Sequence, residues 1–402
     1  MRRWKGAKSL AFDGVDAVTS LVEHTILSAA ERATDRVAAV PSLAPPARAV
    51  RLAHGAVTRT TCAAIRTISR GVEGVTEFGA SALPDAEPTP VPVRSDAAGS
   101  ASWLADQAEG AINGLFGDFL HERGNPLDLG MTLRIDGAAV PAQALHEHLA
   151  TPSAHLCVFV HGLATTEWCW SIDAERNFGD PGATYGAMLA RDLGLTSVYV
   201  RYNTGRHLQA NGRALADLLE EVAAAYPGPL SRLTLVGHSM GGLVARSAAF
   251  DAHQRGLAWV RKLRHLISLG SPHHGSPLAR NATRLSNLFA FADVAATRVL
   301  RDLLNARSEG ITDLDYGDIT DLTGADTRAP HTVYCAVAAT VTADPEHIAG
   351  ALVGDWLVPA SSARGESPSG TLFDQVATFG AVGHIGLTNH PDVYAALVEW
   401  LT

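Results

Sequence analysis

From residue 131 onward, short apolar runs alternate with amphipathic segments along the chain. The apolar runs are typical of strands: "MTLRIDG", "HLCVFVHGL", "TSVYVRYNTG", "LTLVGHSMGG", "VRKLRHLISLGSP" and "HTVYCAVAATV". Between them lie segments with helical periodicity, such as "TYGAMLARDLG" and "NGRALADLLEEVAAAYPG". Strands that alternate with helices predict crossover units and a mostly parallel central sheet covered on both faces. The pattern therefore predicts an α/β fold for this part of the chain.

The first 83 residues have a different pattern, typical of two amphipathic helices. Apolar side chains recur at steps of three and four over residues 15–33 and again over residues 47–72. Four arginines share the other side of the second segment: Arg48, Arg59, Arg66 and Arg70. We predict two packed helices with a solvated arginine face. The alternative is a surface for peripheral membrane binding, for an acidic partner or for self-association.

A linker separates these two regions. Residues 84–100, "PDAEPTPVPVRSDAAGS", are rich in proline and small residues and lack periodicity, as expected of an extended segment. We therefore divide the chain into an N-terminal helical extension (1–83), a Pro/Ala-rich linker (84–100) and an α/β domain (101–402). Charge changes at the same place, because residues 1–83 carry +4 of the total net charge of −9 and the remainder carries −13.

Composition sets the broad class. A chain of 402 residues with 47% hydrophobic and 18% charged residues can bury a large core. No run of 18 uncharged apolar residues occurs, and Asp13 and Asp16 interrupt the N-terminus before a signal-peptide core could form. We expect a soluble, non-exported, cytoplasmic protein with no nucleic-acid partner. The four cysteines show no CxxC spacing, so nothing demands an oxidising compartment.

The stretch "LVGHSMGG", residues 235–242, carries the main candidate for chemistry. It places Ser239 between a buried strand and a helix, the arrangement of a nucleophile elbow, in which flanking glycines relieve the crowding of a sharp turn. The alternative role for this serine is a helix cap. A serine nucleophile needs donors for the oxyanion, and we predict the backbone N–H groups of Met240 and Leu163. His161, in the same turn as Leu163, is predicted to stabilise that turn.

Several segments together resemble a known family. "VFVHGLATTEWCW", "RYNTGRHLQANG", "LVGHSMGGLVARSA", "LGSPHHGSPLA", "GDWLVPASSA" and "VGHIGL" resemble bacterial esterases and lipases related to GPI inositol-deacylase-type hydrolases. The likeness covers about residues 130–402. It implies the α/β-hydrolase fold with a helical lid insertion, here preceded by an N-terminal helical extension. It also implies a serine hydrolase of lipid metabolism that cleaves carboxylic esters, as a lipase or carboxylesterase, through an acyl-enzyme.

The resemblance also implies an order of catalytic groups, in which the acid and then the histidine follow the serine. Asp344, Glu346 and Asp355 follow the late strand "TVYCAVAATV". We choose Asp355 because "GDWLVP" resembles the acid turn of the family. Asp344 is the main alternative, although an aspartate before a proline is also a common turn cap.

Two histidines follow the predicted acid. His390 precedes a proline that starts a helix, so we interpret it as a boundary residue. His384 lies in "GAVGHIGL", where glycines allow a loop to present the ring, and we predict it as the base. We reject His238 as the base because adjacent residues at an elbow project in different directions. We expect its ring to pack against the strand behind "HGL".

About 60 residues separate the strand that ends at Leu269 from the one that starts near His331, which is more than a plain crossover needs. We predict a lid at about residues 278–325, with an apolar stripe facing an acyl pocket. Its predicted substrate-binding residues are Leu285, Leu288 and Leu303. The alternative for this stripe is ordinary core packing.

We predict no cofactor and no metal. Adjacent histidines such as His273 and His274 rarely share a metal ion, and the acidic run at residues 313–321 lacks the twelfth-position glutamate of a calcium loop. The predicted substrate is a small-molecule ester or lipid. The alternatives are an acyltransferase, a thioesterase or a polyester depolymerase on the same fold. A non-enzymatic interaction protein that uses the basic helices is the alternative from another class.

Overall fold

The structure is a computed structural model of the chain. It describes residues 23, 27, 99–125, 127–275, 308–314, 319, 328–344, 347, 354–355, 357–367 and 370–402. Nearly all of the predicted N-terminal helical extension and of the linker, and most of the lid, therefore lie outside the described residues. The chain divides into two compact units, Met1–Ala108 and Glu109–Thr402. The second unit holds the whole sheet.

The second unit alternates helices and strands, as the hydrophobic pattern predicts. The described α-helices are α1 Gly99–Glu122, α2 Leu145–His148, α3 Ala174–Phe178, α4 Tyr185–Leu193, α5 Leu208–Ala225, α6 Met240–Arg255, α7 Glu309–Asp313, α8 Ala360–Ala363 and α9 Pro391–Leu401. The described strands are β1 Met131–Ile135, β2 Ala138–Ala139, β3 His155–Val160, β4 Thr196–Tyr202, β5 Arg232–His238, β6 Leu263–Leu269, β7 Val333–Thr340, β8 Glu366–Ser367, β9 Gly370–Thr371 and β10 Gln375–Gly380. Short 3₁₀ turns lie at Ala142–Ala144, Glu167–Ser171, Trp259–Lys262 and Ile385–Thr388.

Eight strands form one sheet in the order β10-β7-β6-β5-β3-β4-β1-β2. Strands β10, β7, β6, β5, β3 and β4 pair in parallel, whereas β1 pairs antiparallel with β4 and with β2. The prediction of a mostly parallel sheet is confirmed, and the sheet is that of the α/β-hydrolase fold. The strands β2 and β10 were not predicted, because β2 is only two residues long and β10 is not a continuous apolar run.

The sheet separates two core clusters. Leu156 and Val158 of β3 belong to the cluster that also contains apolar residues of α5 and α6. Cys157 and Phe159, which alternate with them, belong to the other cluster, where the rings of Phe159 and Trp170 meet edge to face at 5.0 Å. Because side chains alternate between the faces of a strand, burial of both faces requires apolar residues at every position. This explains the continuous apolar runs in the centre of the sheet.

Helix α1 precedes the sheet and was not predicted as an element. It begins at Gly99, so the last two residues of the predicted linker are helical, and non-helical angles at Phe116 mark a kink. The side chain of Asn113 donates to the Leu127 carbonyl (2.7 Å) and accepts from the Leu129 N–H (3.1 Å). These bonds tie α1 to the segment that leads into β1. In the described part of the chain, no helix combines the length and apolarity that a membrane span requires.

Candidate active site

The serine lies at a sharp turn between β5 and α6. Strand β5 ends at His238, α6 begins at Met240, and Ser239 between them has φ 54° and ψ −123°. Its N–H donates to the Leu269 carbonyl (2.8 Å), and its own carbonyl accepts from the Gly242 N–H (3.1 Å). A positive φ at a residue with a side chain is strained and persists only where the surroundings hold it. The turn has the strand, turn and helix arrangement predicted for an elbow.

The glycines of the motif are required by space. A Cβ at Gly237 would overlap the backbone of Gly241 and Gly242, and a Cβ at Gly241 would overlap the carbonyl oxygens of Val160 and His161. Backbone atoms of a buried sheet cannot move aside as the end of a flexible side chain can. The elbow can therefore close only with glycine at both positions.

The turn after β3 lies directly beside the serine. A Cβ added at Gly162 would lie 3.0 Å from the Ser239 Cβ. Ala164 has φ 57°, and its N–H donates to the Thr204 hydroxyl (3.1 Å). Among the described residues, the Leu163 N–H has no hydrogen-bond partner. The Met240 N–H lies in the first turn of α6, where no intrahelical acceptor exists. Both predicted oxyanion donors thus flank the elbow.

His161 holds this turn as a neutral side chain. Its Nδ1–H donates to the Gly162 carbonyl (2.9 Å), and its Nε2 accepts from the Tyr202 N–H (3.3 Å). Burial lowers the pKa of His161 to about 4. Because both ring nitrogens are engaged with backbone groups, the ring stabilises the turn, which is the role predicted for it.

Residues far apart in sequence also support the turn. Arg201 of β4 donates to both carboxylate oxygens of Glu167 (2.7 and 2.6 Å), and both side chains are buried. On the other side, a Cβ at Gly114 of α1 would lie only 2.6 Å from the Ala164 Cβ. Helix α1 therefore packs closely against the turn that carries Leu163.

The structure pairs the predicted base with Asp355. The Asp355 carboxylate is buried, and its Oδ1 accepts from the N–H groups of Leu357 (3.1 Å) and Val358 (2.9 Å). Its Oδ2 accepts from His384 Nδ1–H at 2.7 Å. The alternative acid, Asp344, is exposed, and its carbonyl accepts from the Thr342 hydroxyl in a turn. A carboxylate only accepts, so Nδ1 of His384 carries a proton, and Nε2 is the nitrogen that is left to act as a base.

Gly270 lies next to this pair and was not singled out in the sequence. It has φ 60°, and a Cβ there would lie 3.1 Å from Asp355 Oδ2, 3.3 Å from His384 Nδ1 and 2.6 Å from Leu387 Cδ1. Its N–H donates to the Val337 carbonyl at 2.8 Å. A glycine directly after the apolar run "LISL" was the only available signal, and only the fold shows what it faces.

The two rejected histidines have structural partners. His390 is the N-cap of α9, and its Nδ1 accepts from the Asp392 N–H (3.2 Å), in agreement with its prediction as a boundary residue. His238 is buried, and its Nε2–H donates to the His384 carbonyl (3.0 Å). Its ring also lies against Gly162, as expected of packing behind "HGL". Its contact with the predicted base was not expected from the sequence.

The remaining predictions concern the lid leucines and the adjacent histidines His273 and His274. Leu285, Leu288 and Leu303 lie outside the described residues, so the structure says nothing of the acyl pocket. His273 Nδ1 accepts from Arg246 (3.0 Å), and burial is the main cause that holds the pKa of His273 well below its usual range. Within the described ranges, no three His, Cys, Asp or Glu side chains are grouped as a metal site requires.

Part of the chain matches a family model and a curated esterase. Residues 195–319 match the model of the PGAP1-like alpha/beta domain family, a segment that runs from β4 through the elbow and β6. This confirms the resemblance to GPI inositol-deacylase-type hydrolases. Over 95 residues the chain is 40% identical to "Probable esterase PIR7A" of Oryza sativa subsp. indica, a match covering 21% of this chain and 30% of that protein. The chain thus spans less than a third of the length of this curated relative.

Among the solved structures with similar chains are a lipase and a carboxyl esterase by title. Bacillus licheniformis lipase BlEst2 is 22% identical with a TM-score of 0.43, covering 61% of this chain and 91% of that one. The metagenomic carboxyl esterase MGS0156 is 16% identical with a TM-score of 0.38, covering 73% and 92%. Together, the sheet order, the elbow and the matched segment show that the chain has the α/β-hydrolase fold and is similar to esterases and lipases.

Proposed function

We propose that this protein hydrolyses carboxylic esters through an acyl-enzyme, with Ser239 as nucleophile, His384 as base and Asp355 as the acid that orients the base. The observation that carries the proposal is the buried Nδ1–H to Oδ2 hydrogen bond of 2.7 Å between His384 and Asp355. The strained serine at the elbow supports it, since strain of this kind clusters at functional sites.

The chemistry follows from the roles of these side chains. Nε2 of His384 takes the hydroxyl proton as Ser239 Oγ attacks the acyl carbon, and the oxyanion accepts from the N–H groups of Leu163 and Met240. The bond to the leaving oxygen then breaks, and His384 gives its proton to the departing alcohol. Water attacks the acyl-enzyme in the second half, again with His384 as base, and releases the carboxylic acid and the free serine. Asp355 keeps the imidazole in the productive tautomer throughout.

Active-site labelling and a chain-length series test the proposal. A fluorophosphonate should label the wild type and leave Ser239→Ala unlabelled, and the wild type should hydrolyse p-nitrophenyl esters at a rate that Ser239→Ala lowers by several orders of magnitude. Thioesters, polyesters and added alcohol acceptors in the same series test the related activities. Equal labelling and hydrolysis by both proteins would contradict the proposal.

The proposed substrate is a small ester or a lipid ester, and we propose that the predicted lid determines which acyl chains are accepted. Leu288→Ser and Leu303→Ser should change the preference for acyl-chain length more than they change turnover of a short acetate ester. An equal loss on all chain lengths would instead assign these leucines to core packing.

A further inference from the structure

We infer that His238 is a positioning residue for the base: its Nε2–H holds the His384 carbonyl and thereby sets the place of the base relative to the adjacent Ser239. The inference rests on the proposed function, because it assigns a role within the same reaction. It also goes beyond the expectation from the sequence, in which His238 was only a packing residue beside the proposed nucleophile.

Four hydrogen bonds of residue 384 are described, and they use its ring, its backbone N–H and its carbonyl. Its ring Nδ1–H donates to Asp355 Oδ2 (2.7 Å), and its backbone N–H donates to the Asp355 carbonyl (3.1 Å). Its own carbonyl accepts from His238 Nε2–H (3.0 Å) and, at the longer distance of 3.4 Å, from the Leu387 N–H in the following turn. Asp355 therefore fixes the ring and one side of the backbone. On the other side, Leu387 holds the carbonyl within its own loop, whereas His238 links it to the elbow and is the only one of these partners that is one peptide bond from Ser239.

The loop around His384 makes the bond from His238 important. Gly383 precedes His384, and a Cβ at Gly383 would meet nothing within 4 Å, so packing restrains the loop little on that side. Ala381, at the start of the loop, has φ 57°. A loop with an open flank keeps its geometry through the hydrogen bonds it makes. A displacement of about 1 Å in a group that transfers protons can cost roughly 100-fold in rate.

The chemistry of the His238 ring suits a neutral donor. A carbonyl can only accept, so Nε2 carries a proton, and Nδ1 is buried with no hydrogen-bond partner among the described residues. Burial, together with the nearby His384, holds the pKa of His238 well below its usual range. The two ring centroids are 4.7 Å apart. A neutral His238 can thus donate its hydrogen bond without placing a second positive charge beside the imidazolium that forms on His384.

Two substitutions separate the hydrogen bond from packing. His238→Phe keeps a ring of similar size beside Trp170 and Gly162 but cannot donate, whereas His238→Gln keeps a donor at the end of its side chain. We expect His238→Phe to lower kcat by roughly 10- to 100-fold with KM nearly unchanged, and to slow fluorophosphonate labelling by a similar factor. His238→Gln should recover most of that loss.

His155→Phe is the matched control. His155 is also a buried histidine of the sheet, and its Nε2 makes a hydrogen bond to the Thr234 hydroxyl (2.8 Å). It lies at the start of β3, at the opposite end of the strands from the elbow. This variant should lower the melting temperature while kcat stays within about twofold of the wild type.

One further readout does not depend on turnover. The Nδ1–H proton of His384 should give a downfield proton NMR signal in the wild type and His238→Gln, and a shifted or exchange-broadened one in His238→Phe. If the wild type neither labels nor hydrolyses esters, the proposed function fails, and this signal still tests the positioning role. Equal kcat and an unchanged signal in all three proteins would overturn the inference. So would parallel losses of kcat and melting temperature in both His238 variants.

Discussion

The elbow at Ser239 and the turn after β3 lie side by side at the ends of neighbouring parallel strands, yet different parts of the chain hold them. Each contains a residue with a side chain at left-handed φ, 54° at Ser239 and 57° at Ala164. At the elbow, the space for that conformation comes from Gly237 and Gly241, two residues away on either side. The eight-residue motif therefore contains nearly all that the elbow needs.

The turn after β3 depends on residues far from it in sequence. Thr204 accepts the Ala164 N–H, Arg201 binds Glu167 at the end of the turn, and Gly114 of α1 lies against Ala164. These contacts come from β4, from the loop after it and from a helix before the sheet. The proposed nucleophile is thus specified by a local motif, while the surroundings of a predicted oxyanion donor require the assembled fold.

The largest effect on kcat is expected for Asp355, the proposed acid. Its position, like that of the β3 turn, depends on the assembled fold. Asp355→Asn should lower kcat by about 10³- to 10⁴-fold, because an amide no longer holds the imidazole in the productive tautomer. Asp344→Asn, as the matched control, should stay within about threefold of the wild type. Steady-state kinetics on one short ester measures both. A large loss in Asp344→Asn alone would transfer the role to that residue.

The next largest effect is expected on folding stability, and it tests whether the motif itself determines the geometry of the elbow. Gly241→Ala should destabilise the fold by about 3 kcal/mol, because its Cβ would overlap two carbonyl oxygens of the neighbouring strand end and turn. Urea unfolding compares it with the wild type. A variant of wild-type stability would show that the elbow can widen, and the contrast with the β3 turn would then disappear.

The third prediction concerns pH and the β3 turn. Burial lowers the pKa of His161 to about 4 from an ordinary 6.5, so the unfolded chain binds this proton at a higher pH than the folded chain does. The part of the free energy of unfolding that depends on this pKa difference is fully present above about pH 6.5. It falls by about 1.4 kcal/mol per pH unit toward pH 4, or about 3 kcal/mol in all. Urea titrations should show a shallower slope for His161→Phe. Other buried histidines contribute to the slope in the same direction in both proteins, so His161→Phe should reduce the slope without abolishing it. An identical slope in both proteins would contradict the prediction.

The smallest effect should come from the distant support of the same turn. Gly114→Ala should push α1 and Ala164 apart and lower kcat by roughly 3- to 10-fold, since the predicted oxyanion donor Leu163 directly precedes Ala164. Ile112→Ala, at a partly exposed position of α1, is the control and should leave kcat unchanged. If both variants behave alike, α1 does not influence the turn.

The sequence predicted those parts of the fold that rest on periodicity or a local motif. The continuous apolar runs marked β3, β5, β6 and β7, and the motif marked the elbow. The choice of Asp355 over Asp344 came from resemblance, and its pairing with His384 across 29 residues is visible only in the structure. Helix α1, Gly270 and the contact of His238 with His384 were missed. Each depends on what lies opposite in space, which periodicity along the chain does not encode.

The strained backbone at Ser239 implies a conflict between durability and activity in this protein. A residue held at φ 54° costs on the order of 1–3 kcal/mol, whereas glycine adopts that conformation freely and loses only about 0.5–1 kcal/mol through its extra unfolded-state freedom. Ser239→Gly should therefore unfold at a higher temperature than the wild type while losing its nucleophile. Selection for thermal stability alone would favour glycine at position 239, and the resulting protein would lack the proposed activity.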